Sequence, residues 1–461
     1  MFNGRSALLS IVTDVTERNR LDRLLREGAL RDPLTGGANR TLFSERVAHA
    51  LTRMHRRSAT LAVLVVDLHH FKDVNDSMGH AAGDFLLQAA AARIQAILRP
   101  GDTVARLGAD EFAVLLEEVE RPDGAMEAAE RLHAAFGSPL DFSGGNLVMT
   151  LSIGVATSST AQTGAEELLS NAELAMYAAK RAGGGRVETF VHSMQAMAAE
   201  RLSLDQDLRR AVEREELRLF YQPLVSTESG EIVGCEALVR WQHPLRGLVP
   251  PDSFIPIAEE TGLISAIDTW VLRTASTQAT AWHRAGHPDL FVAVNVSGRE
   301  LGRADLVDRV EAAVVESGLP PGRLELEITE TTAAMQPADA LDELRQLRRA
   351  GIRIAIDDFG TGYSSLSKLA MFPVDRLKID RSFLSSIRQE SDDDPLVAAM
   401  IGMAHGLGLE VTAEGVKTRA QLAFLRRSGC DLLQGFLFSP PIAAGQFQEL
   451  RDGPPQRAWT A

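Results

Sequence analysis

Eight short apolar runs in the second half of the chain place the strongest constraint on its fold. They occupy residues 218–225, 232–240, 291–297, 323–329, 352–357, 375–380, 409–413 and 430–436. Most are separated by helical stretches of about 12 residues or more. Eight strands that alternate with helices over about 250 residues are typical of a (β/α)8 barrel. Because only the turn STESGE joins the first two runs, we expect that pair to be antiparallel, and the second half is predicted to be a modified TIM-type barrel.

Acidic, amide and lysine side chains occur in or just after these runs. In a barrel, functional residues lie at the carboxyl ends of the strands. The polar set is Glu236, Asn295, Glu327, Asp357, Asp358, Lys378, Glu414 and Gln434. Carboxylates grouped in a dry cleft are costly unless cations compensate their charge. Oxygen ligands of this kind select Mg²⁺ or Mn²⁺, and their number predicts two ions, the arrangement used for phosphodiester hydrolysis.

Strand alternation assigns faces to several of these residues. Glu236, Leu238 and Arg240 share one face of their strand. Asp357 and Asp358 would point to opposite faces of a regular strand. Both can reach one site only if the strand stops there and the chain turns, and the following FGTGYSS supplies glycines for a turn. Lys378 is a candidate for holding or polarising an attacking water.

The first half has a different pattern. Helices are predicted over 41–54 and 85–98, and strands over 61–67, 103–107, 112–116 and 148–156. The predicted strands 103–107 and 112–116 flank GADE, which suits a β-hairpin. The mixture of helices and strands indicates an α+β domain. Asp67 ends a buried strand, and Asp110 and Glu111 occupy the hairpin turn. Together they could hold Mg²⁺ and a nucleoside triphosphate, although acids in a turn are usually only solvated.

Charge and composition exclude several classes of protein. The net charge of −14 argues against binding to a nucleic-acid polymer. Two cysteines, Cys235 and Cys430, cannot form a disulfide framework, and they suit the reducing cytosol. No apolar run approaches the roughly 18 residues that a bilayer crossing needs. We expect a soluble, cytoplasmic protein, with tethering through a preceding segment left open.

The second half resembles the EAL domains, which hydrolyse cyclic di-GMP to linear pGpG. The motifs that carry the resemblance are EALVRW from Glu236, NVS from Asn295, EITE from Glu327, DDFGTGYSSL from Asp357, LKID from Leu377, AEGV from Ala413 and QGF from Gln434. The resemblance implies metal ligands at Glu236, Asn295, Glu327, Asp357, Asp358 and Glu414, with Lys378 beside the catalytic water. It implies substrate contacts at Gln222, Leu238, Arg240, Asp380 and Gln434. It also implies that Glu330 stabilises the DFGTGYSS loop.

The first half resembles the GGDEF domains, which condense two GTP into cyclic di-GMP. The motifs are DPLTGGANR from Asp32, FKDVNDSMGHAAGD from Phe71 and RLGADEF from Arg106. The resemblance implies Mg²⁺ ligands at Asp67, Asp110 and the Leu68 carbonyl, with Glu111 as the second acid of the signature. It implies GTP binding by Asn75 and Asp84, which would read the guanine, by Lys180, which would contact a phosphate, and by Glu111. It places the product-inhibition site of the family at Arg99 and Asp102.

Several residues depart from these family patterns. They are Gly37, His69, Ala109 and Gly184 in the first half and Lys417 in the second. Gly184 stands where an arginine phosphate contact is usual; Arg186 is the candidate substitute, although it is two positions out of register. If the hairpin turn needs a positive φ at Ala109, alanine costs about 1–2 kcal/mol there. The acidic residues match the family pattern, whereas the phosphate-binding positions depart from it. We therefore expect nucleotide binding and doubt cyclase activity.

The predicted boundaries give four segments. Residues 31–190 form the GGDEF domain, 200–452 the EAL domain and 453–461 a disordered tail. Residues 1–30 resemble the last strand and exit helix of a PAS sensor domain, whose remainder would be missing; a frayed arm followed by a helix is the alternative.

The sequence is compatible with three functions. The first is a cyclic di-GMP phosphodiesterase regulated by a degenerate GGDEF domain that binds GTP or cyclic di-GMP. The second is a bifunctional enzyme that makes and destroys the messenger, and the third is a receptor that binds cyclic di-GMP without turnover. Synthesis needs two GTP-loaded domains face to face, so a homodimer is expected.

Overall fold

A computed structural model describes the chain from residue 29 to residue 453, except for 55–59, 70, 120, 122, 143–144, 160–162, 304, 336–337, 362–368, 370 and 390. The predicted PAS-like strand and most of its helix, and the predicted tail beyond Gly453, lie outside the described residues. The chain divides into two compact units, Met1–Glu200 and Arg201–Ala461, here called the first and second units.

The first unit is built around a six-stranded sheet. Its strands are β1 (Ala38–Asn39), β2 (Thr60–Leu68), β3 (Thr103–Gly108), β4 (Glu111–Val119), the separate hairpin β5 (Leu140–Phe142) and β6 (Gly145–Leu147), β7 (Leu151–Ser158) and β8 (Val187–Thr189). Its helices are α1 (Arg40–Met54), α2 (Phe71–Met78), α3 (His80–Ile97), α4 (Gly124–Phe136) and α5 (Ala165–Arg181), and α6 (Ser193–Ala211) contains the division between the units. The sheet order is β1-β3-β4-β2-β7-β8.

The central strand β2 is apolar on both faces because helices cover both sides of the sheet. Leu64 and Val66 belong to one buried cluster, and Val63 and Val65 belong to another. Alternation along the strand therefore supplies two cores, as a sheet between two helical layers requires. The predicted hairpin is confirmed: β3 and β4 are antiparallel, and they place Asp67 opposite Glu111 of β4 at the end of β2.

The second unit is a closed barrel. Its strands are β9 (Leu217–Ser226), β10 (Ile232–His243), β11 (Gly247–Val249), β12 (Phe291–Asn295), β13 (Leu324–Thr329), β14 (Arg353–Phe359), β15 (Arg376–Ile379), β16 (Glu410–Ala413), β17 (Leu432–Leu433) and β18 (Ile442–Ala443). Its helices are α7 (Pro251–Thr261), α8 (Ile264–Arg284), α9 (Leu306–Ser317), α10 (Glu330–Met335), α11 (Ala338–Arg349), α12 (Pro395–Gly406), α13 (Arg419–Arg427) and α14 (Ala444–Asp452), with 3-10 turns at Pro321–Arg323 and Arg381–Ser386.

Eight strands close the barrel, as the sequence predicts. Strands β10 and β12 to β17 follow in order, and β9 pairs with both β10 and β17. The pairing of β9 with β10 is antiparallel, which confirms the departure from a regular barrel. The last predicted strand, 430–436, is wrong in length. Only Leu432–Leu433 pair as a strand, because the chain bends at Gly435 and enters a turn.

Among the described residues, no helix combines the length and the apolar character that a bilayer crossing requires.

Candidate functional site

The ammonium group of Lys378 lies at the centre of the acidic cluster. Its Nζ is 2.6 Å from Glu414 Oε1, 2.7 Å from Glu327 Oε2 and 3.1 Å from Asp357 Oδ1. Glu236 Oε2 is 3.8 Å away. These side chains come from β10, β13, β14 and the residue after β16, and they meet because neighbouring parallel strands end at the same mouth of the barrel. The structure therefore brings the predicted ligand residues into one group.

Negative charge in this cluster exceeds positive charge. Lys378 faces five carboxylates, which belong to Glu236, Glu327, Asp357, Asp358 and Glu414. Burial, reinforced by neighbouring carboxylates, raises the pKa of Glu414 to about 8 and that of Glu327 well above its ordinary value. Burial opposes the charged form of Lys378, but the surrounding carboxylates more than offset it and raise the lysine pKa.

The donor set fits hard divalent cations. Glu327 is 1% exposed, and its Oε1 has no hydrogen-bond partner in the described part of the chain. Asp357, Asp358 and Glu414 each offer one oxygen, and these oxygens lie within 4.8 Å of one another. Buried oxygen atoms without enough protons or cations are what Mg²⁺ or Mn²⁺ would satisfy.

The two consecutive aspartates reach one site through a local distortion. The prediction that the strand stops at them is wrong: β14 continues to Phe359. The pairing with β15 shifts register between Ile356 and Phe359, and Asp358 adopts a left-handed backbone with φ 55°. A bulge turns a side chain without ending the strand. Beyond the bulge, Gly360 N donates to Glu330 Oε2 at 2.8 Å. Glu330 is the residue predicted to stabilise the loop that begins here.

Amide side chains line the next layer of the site. Glu236 accepts hydrogen bonds from Asn295 Nδ2 at 2.6 Å and from Gln434 Nε2 at 2.5 Å. Gln434 Nε2 also donates to Gln222 Oε1 at 3.0 Å, and Gln222 Nε2 donates to the Ser439 carbonyl at 3.1 Å. The Glu236 carboxylate thus joins one predicted ligand, Asn295, to one predicted substrate contact, Gln434, which in turn contacts Gln222.

The remaining predicted substrate residues lie at the edge of the cluster. Arg240 is partly buried on the Glu236 strand, and its Nη1 donates to the Val239 carbonyl at 2.8 Å. Burial lowers the arginine pKa, whereas Glu236 favours its charged form. Leu238 is partly buried between these two residues. Asp380 accepts from Ser382 N at 2.9 Å and caps the turn that follows β15.

The first unit gathers a smaller acidic group. Asp67 is 2% exposed, and its Oδ2 lies 2.5 Å from Lys180 Nζ. Burial raises the pKa of Asp67 to about 6 despite Lys180, and the carboxylates of Asp110 and Glu111 add to the rise. Leu68 N donates to the Asp110 carbonyl at 3.4 Å, which ties the strand end to the hairpin turn. Lys180, predicted to contact phosphate, is therefore paired with a predicted metal ligand.

The predicted guanine-reading residues are brought close by a helix–turn–helix. Gly79, with φ 83°, joins α2 to α3. A side chain at Gly83 would lie 2.0 Å from Asn75 Oδ1, so Asn75 packs against the residue that precedes Asp84. Asp84 itself is exposed. The assignment of Asn75 and Asp84 to guanine binding stays a prediction.

The hairpin turn has a strained alanine. Ala109 has a positive φ of 39°, the backbone conformation in which alanine is expected to be strained. Its carbonyl accepts from Arg106 Nη2 at 2.7 Å and from Arg106 Nε at 3.1 Å. Arg106 is oriented in turn by Asp32 at 3.3 Å. The arginine holds the turn in a backbone conformation that alanine disfavours.

Ala109→Gly is expected to raise the free energy of unfolding of the first unit by about 0.5–1 kcal/mol. Relief of the left-handed conformation outweighs the extra freedom of glycine in the unfolded chain. Ala105→Gly, in the neighbouring buried strand, should lower the same quantity, because no positive φ is relieved there. Urea unfolding of the full chain, followed through the transition of the first unit, measures both variants. If both raise the free energy of unfolding, or neither does, strain at Ala109 is contradicted.

Two departures from the family pattern occupy the same space. A Cβ at Gly184, which has φ 68°, would lie 1.7 Å from His69 Cε1. The His69 Nε2 atom is hydrogen-bonded to Ser152 Oγ at 2.7 Å. The imidazole therefore excludes any side chain at residue 184. Arg186, the candidate substitute for the expected arginine, lies within 3.8 Å of Glu188.

The predicted inhibitory residues border a cavity of about 260 Å³. Asp102 Oδ2 accepts from Arg99 N at 3.0 Å, and Asp102 N donates to the Arg99 carbonyl at 3.0 Å. Arg121 and Arg131 line the same cavity together with Glu117 and Glu127, and Arg121 lies 3.6 Å from Glu127, so the charges of the lining are mixed.

Sequence reasoning missed the residues that support the site from outside the barrel. Glu259 and Asp268, on α7 and α8, both contact Ser297 behind Asn295. Arg106 and its contact with Ala109 were also missed. Nothing in the local pattern identifies Glu259 and Asp268, because they are distant in sequence from Ser297 and have ordinary spacing for helix surfaces.

Comparison with known proteins agrees with this architecture. A family model described as "Diguanylate cyclase, GGDEF domain" matches residues 29–186, and the EAL domain model matches 205–441. Over 94% of the chain, it is 42% identical to "Cyclic di-GMP phosphodiesterase NbdA" and 45% identical to "Bifunctional diguanylate cyclase/cyclic di-GMP phosphodiesterase MucR", both of Pseudomonas aeruginosa. The chain spans 55% and 63% of the length of those relatives.

A solved structure shows the same barrel. It is described as "PaMucR Phosphodiesterase, c-di-GMP complex", and it shares 48% sequence identity with a TM-score of 0.51. The match covers 53% of this chain and 99% of the other. With a cyclase-like α+β unit followed by a modified barrel, and with family models matched over both, this chain belongs to the family of tandem GGDEF–EAL proteins.

Proposed function

We propose that the second unit hydrolyses cyclic di-GMP to linear pGpG in a reaction that depends on two divalent cations. The observation that carries this proposal is the cluster of five carboxylates at the strand ends, four of which lie within 4 Å of Lys378 Nζ while Asp358 lies beside Asp357 and Glu414. The names of the relatives and the cyclic di-GMP complex of the similar barrel support the substrate.

Each side chain has a role in this reaction. Bound Mg²⁺ or Mn²⁺ would lower the pKa of a water and stabilise the leaving oxygen. The residues that would hold the cations are Glu236, Asn295, Glu327, Asp357, Asp358 and Glu414. Lys378 orients the attacking water, Glu330 supports the loop after β14, and the substrate is bound by Gln222, Leu238, Arg240, Asp380 and Gln434.

Chromatography of nucleotides tests the proposal. The full chain is incubated with cyclic di-GMP and Mg²⁺, beside a sample that contains EDTA. Appearance of pGpG only with the metal supports metal-dependent hydrolysis. Unchanged cyclic di-GMP, with the nucleotide still bound on equilibrium dialysis, would instead support the receptor function.

We propose that the first unit regulates the barrel by binding nucleotide. Its acids remain together, while Ala109 is strained and His69 excludes a side chain at Gly184. GTP would bind near Asn75, Asp84 and Lys180, with Mg²⁺ at Asp67, Asp110 and the Leu68 carbonyl and with Glu111 beside them. Cyclic di-GMP would bind at Arg99 and Asp102. A homodimer, and a sensor domain ahead of this chain, remain parts of the proposal.

Asp84→Ala is expected to abolish any change that GTP causes in the rate of cyclic di-GMP hydrolysis. The variant removes a carboxylate that would pair with the guanine edge. Asp76→Ala removes an exposed carboxylate from the adjacent helix, and it should leave the GTP response intact. Initial rates with and without GTP check the pair. A GTP response that persists in Asp84→Ala would contradict this placement of the guanine.

Bifunctional activity is the second candidate, because a relative 45% identical to this chain bears that description. It predicts that GTP and Mg²⁺ alone yield cyclic di-GMP. Failure of the Glu111→Gln variant to lower that yield would exclude the first unit as its source.

A further inference from the structure

The loop after β12 connects a predicted cation ligand to the outer helices. Asn295 ends the strand, and Val296 N donates to the Glu327 carbonyl at 2.9 Å. Glu300, fully buried, accepts from Arg303 at 3.0 Å and pairs with Arg309. Both ends of the loop are therefore tied to neighbouring elements. The residue between them, Ser297, receives contacts from two helices that contribute no ligand.

Two carboxylates converge on Ser297. Its Oγ donates to Glu259 Oε1 at 2.7 Å, and its N donates to Asp268 Oδ2 at 3.3 Å. Asp268 is 6% exposed, so its carboxylate is kept in the interior although burial disfavours the charge. Arg299 Nη1 adds a hydrogen bond to the Glu259 carbonyl at 2.6 Å. We call Glu259, Asp268 and Ser297 the Ser297 clamp.

The direction of the Asn295 carboxamide decides which atom it presents. Its Nδ2 donates to Glu236 Oε1 at 2.6 Å, so its Oδ1 is the atom left for a cation. Reversal of the amide would set Oδ1 against the Glu236 carboxylate. The side chain lies at the exposed end of β12, where the strand alone does little to fix it. The backbone two residues later is fixed by the Ser297 clamp.

We propose that Glu259 and Asp268 are positioning residues for the cation site, acting through Ser297 on the Asn295 carboxamide. The inference rests on the proposed function, because it assumes that Asn295 is a cation ligand. Groups that orient a metal ligand from behind typically change metal affinity or activity by about 10–100-fold when they are lost. The clamp would act on cation affinity without contact to substrate.

Direct Mn²⁺ binding to the full chain tests this role. Every protein carries Asp67→Asn, so that the acidic group of the first unit contributes less to the signal. Calorimetry should show that Glu259→Ala and Ser297→Ala each raise the Mn²⁺ dissociation constant about 10-fold. The double variant should be no worse than either single one, since both remove the same hydrogen bond. Glu259→Gln keeps an acceptor oxygen, and it should bind Mn²⁺ within about threefold of the parent.

Two comparisons separate positioning from general destabilisation. Ser276→Ala alters another buried polar residue of α8 that is outside the clamp, and it should leave Mn²⁺ binding unchanged. The KM for cyclic di-GMP at saturating Mn²⁺ should stay within about twofold of the parent in Glu259→Ala, since the clamp residues are not among the predicted substrate contacts. Equal weakening by Ser276→Ala, or unchanged binding in Glu259→Ala and Ser297→Ala, would overturn the inference. If the parent itself binds no Mn²⁺, the proposed cation site fails and the inference falls with it.

Discussion

Lys378→Met is expected to lower the free energy of unfolding of the barrel by about 3–5 kcal/mol when divalent cations are removed. Lys378 is 1% exposed, and its Nζ lies within 4 Å of carboxylate oxygens of Glu236, Glu327, Asp357 and Glu414. Without it, buried carboxylates face one another with no compensation. Urea unfolding in EDTA measures the loss, and addition of Mn²⁺ should recover much of it.

The same experiment has a pH dependence of known sign. The pKa of Glu414 is raised to about 8, above the unfolded value near 4.3, so the folded chain binds this proton more tightly. Its contribution to stability is present below the unfolded pKa and is lost as the pH rises towards 8. The deficit of Lys378→Met in EDTA should therefore be larger at pH 8 than at pH 5.5. Lys417→Met, which alters an exposed lysine, should show neither effect, and equal stability of the two variants would contradict a charged cluster.

Glu236→Ala is expected to lower kcat/KM for cyclic di-GMP by about 10³-fold or more. A bound cation supplies several kcal/mol of charge stabilisation, and about 4 kcal/mol corresponds to 10³-fold. Glu236 also receives the amides of Asn295 and Gln434, so its loss disturbs one predicted ligand and one predicted substrate contact. Initial rates at saturating Mg²⁺ measure the effect.

The control for this variant is Glu231→Ala, an exposed glutamate just before the same strand. It removes equal charge at a distance from the cluster, and its activity should stay within about twofold of the parent. Thermal unfolding of both variants verifies folding. Retention of more than a tenth of the activity in folded Glu236→Ala would exclude this residue as a required ligand.

Local sequence patterns were sufficient to predict the barrel and the members of its acidic cluster. The alternation of apolar strand runs with helical stretches is visible in the sequence. Parallel strands bring their carboxyl ends to one mouth of the barrel. The same reasoning placed Glu236 on one face, and Cys235 and Ala237 are indeed part of the core between barrel and helices. These predictions depend on spacing alone.

Features that depend on backbone distortion or on distant partners could not be predicted in this way. The sequence around Asp358 suggested an ended strand, whereas the structure has a bulge with a left-handed residue. His69 and Gly184 were seen as separate departures, but they fill one space in three dimensions. The Ser297 clamp joins residues from two helices and a loop, and no local pattern links them.

The most direct test of metal-dependent hydrolysis at this site follows the oxygen of the attacking water. The full chain is incubated with cyclic di-GMP and Mg²⁺ in water enriched in the heavy oxygen isotope, and the product is examined by mass spectrometry. We expect pGpG with one heavy oxygen in its terminal phosphate, formed by the unchanged chain and not by Glu236→Ala or in EDTA. Product without the label, or labelled product at an equal rate from Glu236→Ala, would contradict water attack at this cluster of carboxylates.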